Sequence, residues 1–350
     1  MPELNPSEIA KYDTSDMLGK ILNFPQQLQE AQNLARGVKV QVNPEKIANI
    51  CITGMGGSAI SGDLVRTYLA ERIRLPIFVN RYYRLPHFVN DQTLVIASSY
   101  SGNTEETLES YEDASERGAQ IVCVTSGGQL AERAAARGIS IYKIPTGFPP
   151  RSALGYLTVP LLYCFHNLNL ISDPAGELQE TIDLLNNLKE EYKPEIENNL
   201  AKEISRKLHN KIPLVYAPVN GFEAVAWRWK GQFSENSKVL AFCNLFPELN
   251  HNEIMGWGPL KSINREFQVV YLKDKEAHPQ VLKRMEITKE ILANETDPII
   301  EVESRGKSLL ARIFSLIYTG DMVSFYLAIL NKEDPTPVKK IDYLKARLTR

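Results

Sequence analysis

The stretch IANICITGMGGSAISGD, residues 47–63, places three glycines between a short apolar run and a segment with helical spacing. The run Ile47–Thr53 is almost entirely apolar and is bounded by glycine, which predicts a buried strand. The following residues, Ala59–Ala70, predict a helix. A strand, a glycine-rich turn and a helix in this order are typical of a βα unit in a parallel sheet.

The same alternation continues through the first half of the chain. A helix at Met17–Arg36 leads into it, and a long apolar helix from Ala153 to about Leu170 closes it. Between them, helices are predicted near 105–117 and 129–136. The remaining predicted strands of this half are Pro76–Asn80, Thr93–Ser98, Gln120–Thr125 and Ile139–Ile144.

The second half repeats the pattern after a charged, Leu-periodic helical connector at Glu177–Asn210. Helices are predicted at Phe222–Phe233 and near 281–292 and 309–329. The predicted strands are Pro213–Ala217, Lys238–Phe242, Phe267–Leu272 and Ile299–Val302. The sequence therefore predicts an α/β protein built from two similar units.

Composition excludes several classes of function. The chain has 350 residues, 43% of them hydrophobic and 23% charged, and a net charge of −2. No global basic field favours nucleic acid or an anionic membrane, so any bound anion needs a local site. No apolar run of about 20 residues and no signal peptide are evident, so we expect a cytoplasmic protein. Four isolated cysteines indicate buried, reduced thiols and no metal site.

Gly54–Ser58 follow the first strand and open its helix. Glycines let the backbone approach a ligand, and the free N–H groups of a helix N-terminus favour an anion. The pattern is not GxGxxG, since Ala59 stands at the third glycine position, and Asn80 and Arg81 replace the acidic residue of dinucleotide sites. A GxxxxGK[ST] phosphate loop is absent as well. The alternative is a tight βα turn without a ligand.

A second polar turn, SSYSGNTEE at residues 98–106, also lies between a strand and a helix. Its hydroxyls at Ser99, Ser101 and Thr104, with the amides around Gly102, suit a phosphate held by neutral donors. The alternative is that Thr104 only caps the helix, with Glu105 and Glu106 in its first turn. In an open parallel sheet both turns lie at strand carboxyl ends, where ligands bind.

GMGGSAISGD and SSYSGNTEET resemble the paired phosphate loops of sugar-isomerase (SIS) domains. FSEN at 233–236, PELNHNE at 247–253 and PPR at 149–151 resemble the bifunctional phosphoglucose/phosphomannose isomerases of that superfamily. The resemblance extends from about Asp13 to Leu348. It implies two SIS-type subdomains, each a parallel sheet flanked by helices in a flavodoxin-like αβα sandwich.

On this reading the chain divides into five segments. We expect a helical lead-in at 1–37, a first SIS domain for phosphate binding at 38–170 and a helical connector at 171–210. We expect a second SIS domain with the base and ring-opening residues at 211–333, and a tail over the active site at 334–350.

The resemblance implies an isomerase that interconverts glucose 6-phosphate or mannose 6-phosphate with fructose 6-phosphate. The reaction would pass through an enediol(ate) without a metal or other cofactor. The residues that match the family's phosphate-binding positions are Gly57, Ser58, Ser99, Ser101 and Thr104.

The resemblance also implies catalytic roles. Glu235 matches the base, and His251 matches the ring-opening group, which the partner subunit of a homodimer contributes. Arg151 matches an arginine beside the enediol oxygens. Lys345 is placed at the family's tail lysine, and Thr336 is the nearby candidate for a threonine.

The chemistry of each residue type agrees with its implied role. A carboxylate can take a carbon-bound proton, histidine titrates in the range that ring opening needs, and a fixed cation stabilises an enediolate. The alternatives are a solvated Glu235 at a helix end, a loop His251, a surface Arg151 and a solvated basic tail around Lys345.

Two other functions stay open at this point. A non-catalytic sugar-phosphate sensor would use the same fold, but it usually carries an appended DNA-binding or nucleotide-binding region. An amino-sugar isomerase or synthase domain is typically joined to a glutamine-hydrolysing domain with an N-terminal cysteine. The chain starts Met1-Pro2 with no nearby cysteine, which disfavours the latter.

Overall fold

The computed structural model describes residues 3–348, so Met1, Pro2, Thr349 and Arg350 lie outside the described residues. Its first sheet has five strands in the order β2-β1-β3-β4-β5, and all neighbours are parallel. This is a flavodoxin-like order, whose switch point lies between β1 and β3. The strands are β1 Asn49–Thr53, β2 Ile77–Asn80, β3 Thr93–Ser99, β4 Gln120–Thr125 and β5 Ser140–Lys143.

The second sheet has four parallel strands in the order β7-β6-β8-β9. The first strand of each half thus lies between its next two strands, so the second half repeats the topology of the first. The strands are β6 Ile212–Pro218, β7 Phe242–Phe246, β8 Phe267–Lys273 and β9 Ile300–Glu303. The predicted α/β class with two parallel sheets flanked by helices is confirmed.

Helices connect the strands, as near-continuous apolar strands require if both sheet faces are to be buried. They are α1 Pro6–Tyr12, α2 Met17–Leu22, α3 Phe24–Ala35, α4 Gly56–Leu69, α5 Glu105–Glu116, α6 Gly128–Ala136, α7 Leu154–Asn167, α8 Ala175–Glu191, α9 Leu200–Leu208, α10 Glu223–Glu235, α11 Lys261–Asn264, α12 Pro279–Leu292, α13 Leu309–Leu330 and α14 Lys339–Leu348.

The chain forms two compact units. The five-stranded unit consists of Asn23–Leu184 and Gly306–Ala311, and the four-stranded unit consists of residues 3–22, 185–305 and 312–348. Each unit is described by itself below. The five-segment division drawn from the sequence stays a prediction.

Two predicted elements are wrong in detail. The single helix predicted at Met17–Arg36 is two helices, because Asn23 interrupts the helical pattern and α3 restarts with Pro25 in its first turn. Proline is favoured there because the missing N–H would have no helical partner.

The strand predicted at Lys238–Phe242 is wrong as well. Lys238 has a φ of +59°, which no strand residue adopts, and the N–H of Val239 still bonds to the carbonyl of Phe233 at the end of α10. The strand begins only at Phe242 and forms the edge of its sheet. Local apolar composition could not show that the helix end extends this far.

The helix α13 corrects the expectation that no apolar run reaches membrane-spanning length. Its 22 residues have a mean hydropathy of 1.6, but the whole apolar window is buried inside the protein. Length and composition alone do not separate such a core helix from a membrane span.

A buried ion pair fastens α10 to α13 within the four-stranded unit. Arg228 donates two hydrogen bonds to the Asp321 carboxylate, at 3.0 and 2.6 Å, and Gln232 donates a third at 3.0 Å. Burial raises the pKa of Asp321, while Arg228 opposes that shift. One helical turn on, Asn236 and Ser237 bond to Ser324.

Removing one partner of this pair leaves a buried charge unpaired. We expect Asp321→Ala to lower the free energy of unfolding by about 3–5 kcal/mol. Glu203→Ala, which breaks the exposed pair with Lys207, is the matched control and should cost about 0.5 kcal/mol or less. Urea unfolding of both variants measures the difference, and equal losses would contradict the assignment.

Candidate active site

Two polar turns lie side by side at the carboxyl ends of β1 and β3. Because Thr53 pairs with Ala97 at the ends of these strands, the turns that begin at Gly54 and Ser99 are adjacent. A Cβ atom on Gly54 would lie 2.7 Å from the carbonyl oxygen of Ser98, closer than real Cβ contacts allow. Glycine at position 54 therefore permits the two strand ends to pack together.

A hydrogen bond from the second turn to a hydroxyl of the first links the two turns. The Oγ of Ser58, in the first turn of α4, accepts a hydrogen bond from the N–H of Tyr100 at 3.3 Å. The Oγ of Ser99 lies 2.9 Å from the Oγ1 of Thr104 and accepts a bond from the N–H of Gly102 at 3.1 Å. Ser58 and Ser99 are buried, whereas Ser101 on the same turn is exposed.

Within the described chain, neither α4 nor α5 has a side-chain cap at its N-terminus. Thr104 does occupy the cap position of α5, as the capping alternative expected, but its hydroxyl meets Ser99 instead of the helix amides. Two helix N-termini with their partial positive charges therefore open beside the hydroxyls. This combination suits an anion without a lysine or arginine, although α5 also carries Glu105 and Glu106 in its first turn.

A third turn, which follows β4, packs against the turn after β3 through glycines. Gly102 has a φ of +71°, and a Cβ on it would lie 1.7 Å from the carbonyl oxygen of Gly127. The side-chain oxygen of Asn103 accepts a bond from the N–H of Gln129 at 3.1 Å, and the N–H of Leu130 bonds to the oxygen of Gly102 at 2.9 Å. The turn after β3 is thus held against the turn after β4.

Arg151 belongs to the same unit and reaches the first turn. It lies in a single 3₁₀ turn, Pro150–Ser152, and only 5% of it is exposed. A Cβ on Gly57 would lie 2.7 Å from the carbonyl oxygen of Pro150 and 3.4 Å from the nitrogen of Arg151. The surface-arginine alternative is wrong, because Arg151 is buried and its backbone lies beside Gly57.

Glu235 is the last residue of α10, so the prediction that it follows the helix is off by two residues. Its neighbours Gln232 and Asn236 are buried and bond to α13, while Glu235 itself is half-buried. The ammonium of Lys238 donates to the carbonyl oxygen of Glu235 and, at 3.3 Å, to that of Pro335. Hydrogen bonds therefore hold the backbone of the helix end before and after Glu235.

His251 ends the 3₁₀ turn Glu248–His251 that follows β7, and it is exposed. The nearby carboxylate of Glu253, for which the sequence predicted no role, accepts hydrogen bonds from the hydroxyl of Tyr216 and the amide of Asn244. Burial and that carboxylate raise the pKa of Tyr216, so the tyrosine stays a donor. The polar contacts of Glu253 hold the loop that carries the histidine.

Lys345 lies on α14 and is exposed, and Thr336 lies in the segment before that helix. The N–H of Thr336 donates to Asp334 at 2.8 Å, and Asp334 accepts a bond from Thr14 at 2.6 Å. Glu235, His251 and Lys345 thus lie on three separate elements of the four-stranded unit. Their joint action in catalysis stays a prediction.

Comparisons with known proteins decide the family. Residues 44–146 match the model of the SIS domain, and residues 197–348 match the bacterial phospho-glucose isomerase C-terminal SIS domain. A bifunctional phosphoglucose/phosphomannose isomerase from Caldicellulosiruptor bescii is 48% identical over 95% of this chain and 98% of its own length. The chain belongs to the bifunctional phosphoglucose/phosphomannose isomerase family.

Other relatives agree with this assignment. The Thermoplasma acidophilum protein of the same name is 39% identical over 86% of this chain and 90% of its own. The structure of tagatose-6-phosphate ketose/aldose isomerase from Escherichia coli shares the fold, with a TM-score of 0.67 at 16% identity over 95% of this chain and 94% of that one. The family and the isomerase class predicted from the motifs are confirmed.

Gly102 offers a test of the phosphate turn. Gly118 has nearly the same φ, +70°, but a Cβ there would lie 3.8 Å from its nearest neighbour. Both alanine variants should lose about 1–2 kcal/mol from the backbone conformation. Gly102→Ala adds a clash with Gly127, so we expect a larger loss of stability and a KM for sugar phosphate raised at least tenfold. Equal KM values for the two variants would show that this turn does not bind the substrate.

Proposed function

We propose that this isomerase interconverts glucose 6-phosphate and mannose 6-phosphate with fructose 6-phosphate, without a metal. The observation that carries the proposal is the placement of the Ser58 hydroxyl and the Ser99–Thr104 hydroxyl pair on two adjoining turns, each at a helix N-terminus without a side-chain cap. In a chain of this family, such a site suits the phosphate that all three sugars share.

In the proposed mechanism, phosphate binding leaves the reaction to the C1–C2 end of the sugar. His251 moves a proton between O1 and O5 to open the ring. Glu235 then removes the proton from C2 of the aldose, and the electron pair of that C–H bond forms the C1=C2 bond of an enediol(ate). The π pair of the C1=O1 bond moves onto O1, which takes up a proton. Return of a proton to C1 and loss of the O2 proton give the ketose.

Arg151 is proposed to stabilise the enediolate. The negative charge on its oxygens is greater in the transition state than in the ground state, so a fixed cation accelerates the step. Support comes from its position, buried beside Gly57 on a turn that two prolines stiffen. Lys345 is proposed to contact the sugar from the tail helix.

The first test replaces the proposed base. With EDTA present, the wild-type protein should convert fructose 6-phosphate into both aldose phosphates and exchange deuterium from heavy water into C2. Glu235→Gln should lower kcat and this exchange by about 100- to 10,000-fold while sugar-phosphate binding survives. Glu203→Gln, an exposed glutamate on α9, is the matched control and should retain full activity.

Two results would contradict the proposal in different ways. Full activity in Glu235→Gln would show that another group is the base. Binding without turnover in the wild-type protein would instead favour the non-catalytic sensor.

We also propose a homodimer in which each subunit's His251 serves the partner's site. The surface around the histidine supports this, because β7 is an edge strand and exposed apolar residues cluster in the surrounding segment. They are Leu240, Phe242, Met255, Leu260 and Ile263, and Met255 is 82% exposed. Large exposed apolar patches of this kind mark protein interfaces.

Subunit complementation tests the dimer. Glu235→Gln and His251→Ala should each be inactive alone. If the histidine crosses the interface, subunits mixed in equal amounts and allowed to exchange should regain about one quarter of the wild-type activity, because each mixed dimer then holds one intact site. No recovery despite mass-spectrometric proof of mixed dimers would place His251 in its own subunit's site.

A cytoplasmic location is proposed on the state of the cysteines. All four are free, and burial raises the pKa of Cys51 and of Cys123 to about 12. Buried thiols that do not ionise at neutral pH suit a reducing compartment.

A further inference from the structure

We propose that Gln27 and Tyr100 are positioning residues that hold the turn of Arg151 in its working position. The inference rests on the proposed role of Arg151 and names the groups on which that role depends. Neither residue was singled out by its sequence pattern as a functional residue. Both lie in the five-stranded unit, as Arg151 does.

Gln27 fixes the chain that follows Arg151. It lies on α3, and only 3% of it is exposed. Its Nε2 donates to the carbonyl oxygen of Ser152 at 2.9 Å, and its Oε1 accepts from the N–H of Gly155 at 2.6 Å. Ala153 at the start of α7 provides no side-chain cap. The glutamine on α3 therefore accepts a hydrogen bond from a free N–H in the first turn of α7.

Tyr100 fixes the chain that precedes Arg151. Its hydroxyl donates to the carbonyl oxygen of Pro145 at 3.0 Å and accepts from the N–H of Phe148 at 2.9 Å. Its backbone belongs to the phosphate turn, where its N–H donates to the Oγ of Ser58 at 3.3 Å. A single side chain therefore links the phosphate turn to the segment that leads to the arginine.

Together these bonds fix the backbone before and after Arg151. The Pro150–Ser152 turn is held by Tyr100 on one side and by Gln27 on the other, and Gly57 allows it to rest on α4. A displacement of about 1 Å at a reacting centre can cost about 100-fold in rate. Because Arg151 is proposed to act on the enediolate, loosening its turn should lower kcat more than it raises KM.

The test needs controls, since losing any buried hydrogen bond costs stability. Gln32 lies on the same helix and donates to the hydroxyl of Tyr163 at 2.9 Å, so Gln32→Leu and Tyr163→Phe remove a comparable buried bond away from Arg151. The test variants are Gln27→Leu and Tyr100→Phe. All four are compared with Arg151→Ala for stability, kcat and KM with fructose 6-phosphate.

We expect Gln27→Leu and Tyr100→Phe each to lower kcat about tenfold or more, with KM within about twofold, while the controls keep kcat within about twofold. Adding Gln27→Leu to Arg151→Ala should cause no further loss of kcat, because the glutamine acts through the arginine. If Gln27→Leu does not fold, Tyr100→Phe carries the same test.

Two results overturn the inference and can be told apart. Unchanged kcat in Gln27→Leu and Tyr100→Phe, with a large loss in Arg151→Ala, would refute the positioning role and leave the role of Arg151 intact. Unchanged kcat in Arg151→Ala would refute the proposed role of the arginine itself, and the inference with it.

Discussion

The contact between the backbone turns at the ends of β1 and β3 is the constraint on which the five-stranded unit depends. At Gly54 and Gly57, a side chain would lie 2.7 Å from a carbonyl oxygen of a neighbouring segment, and at Gly102 the space is smaller still. Backbone therefore packs on backbone, and this brings the N-termini of α4 and α5 together. The hydroxyls of the two turns lie near both helix N-termini only because these glycines have no Cβ atom.

This arrangement explains how a chain with a net charge of −2 can offer a site for an anion. The anion would be attracted by fixed dipoles and neutral donors, which need little rearrangement when the ligand binds. Such a site suits a phosphate that must be released at every turnover. In the proposed mechanism, Arg151 is then available for the other end of the substrate.

The sequence predicted the features that are local to one segment. The two phosphate turns could be read from GMGGS and SYSGNT, because each motif lies between a strand and a helix with clear periodicity. The strand predicted at Lys238–Phe242 failed because a helix end and a left-handed Lys238 shift the strand along the chain. Gln27 could not be found, since its role depends on bonds to residues more than 120 positions away.

The two units repeat the fold, but the helices that follow their first strands, α4 and α10, differ in their first turns. In the four-stranded unit the first strand β6 also leads through a glycine turn into a helix, but Glu223 stands in its first turn. The Glu223 carboxylate accepts from the N–H of Gly221 at 3.3 Å, so the protein's own anion already occupies this helix N-terminus. The equivalent helix of the five-stranded unit, α4, carries Ser58 and no acidic residue in its first turn, which agrees with the proposal that the phosphate binds there.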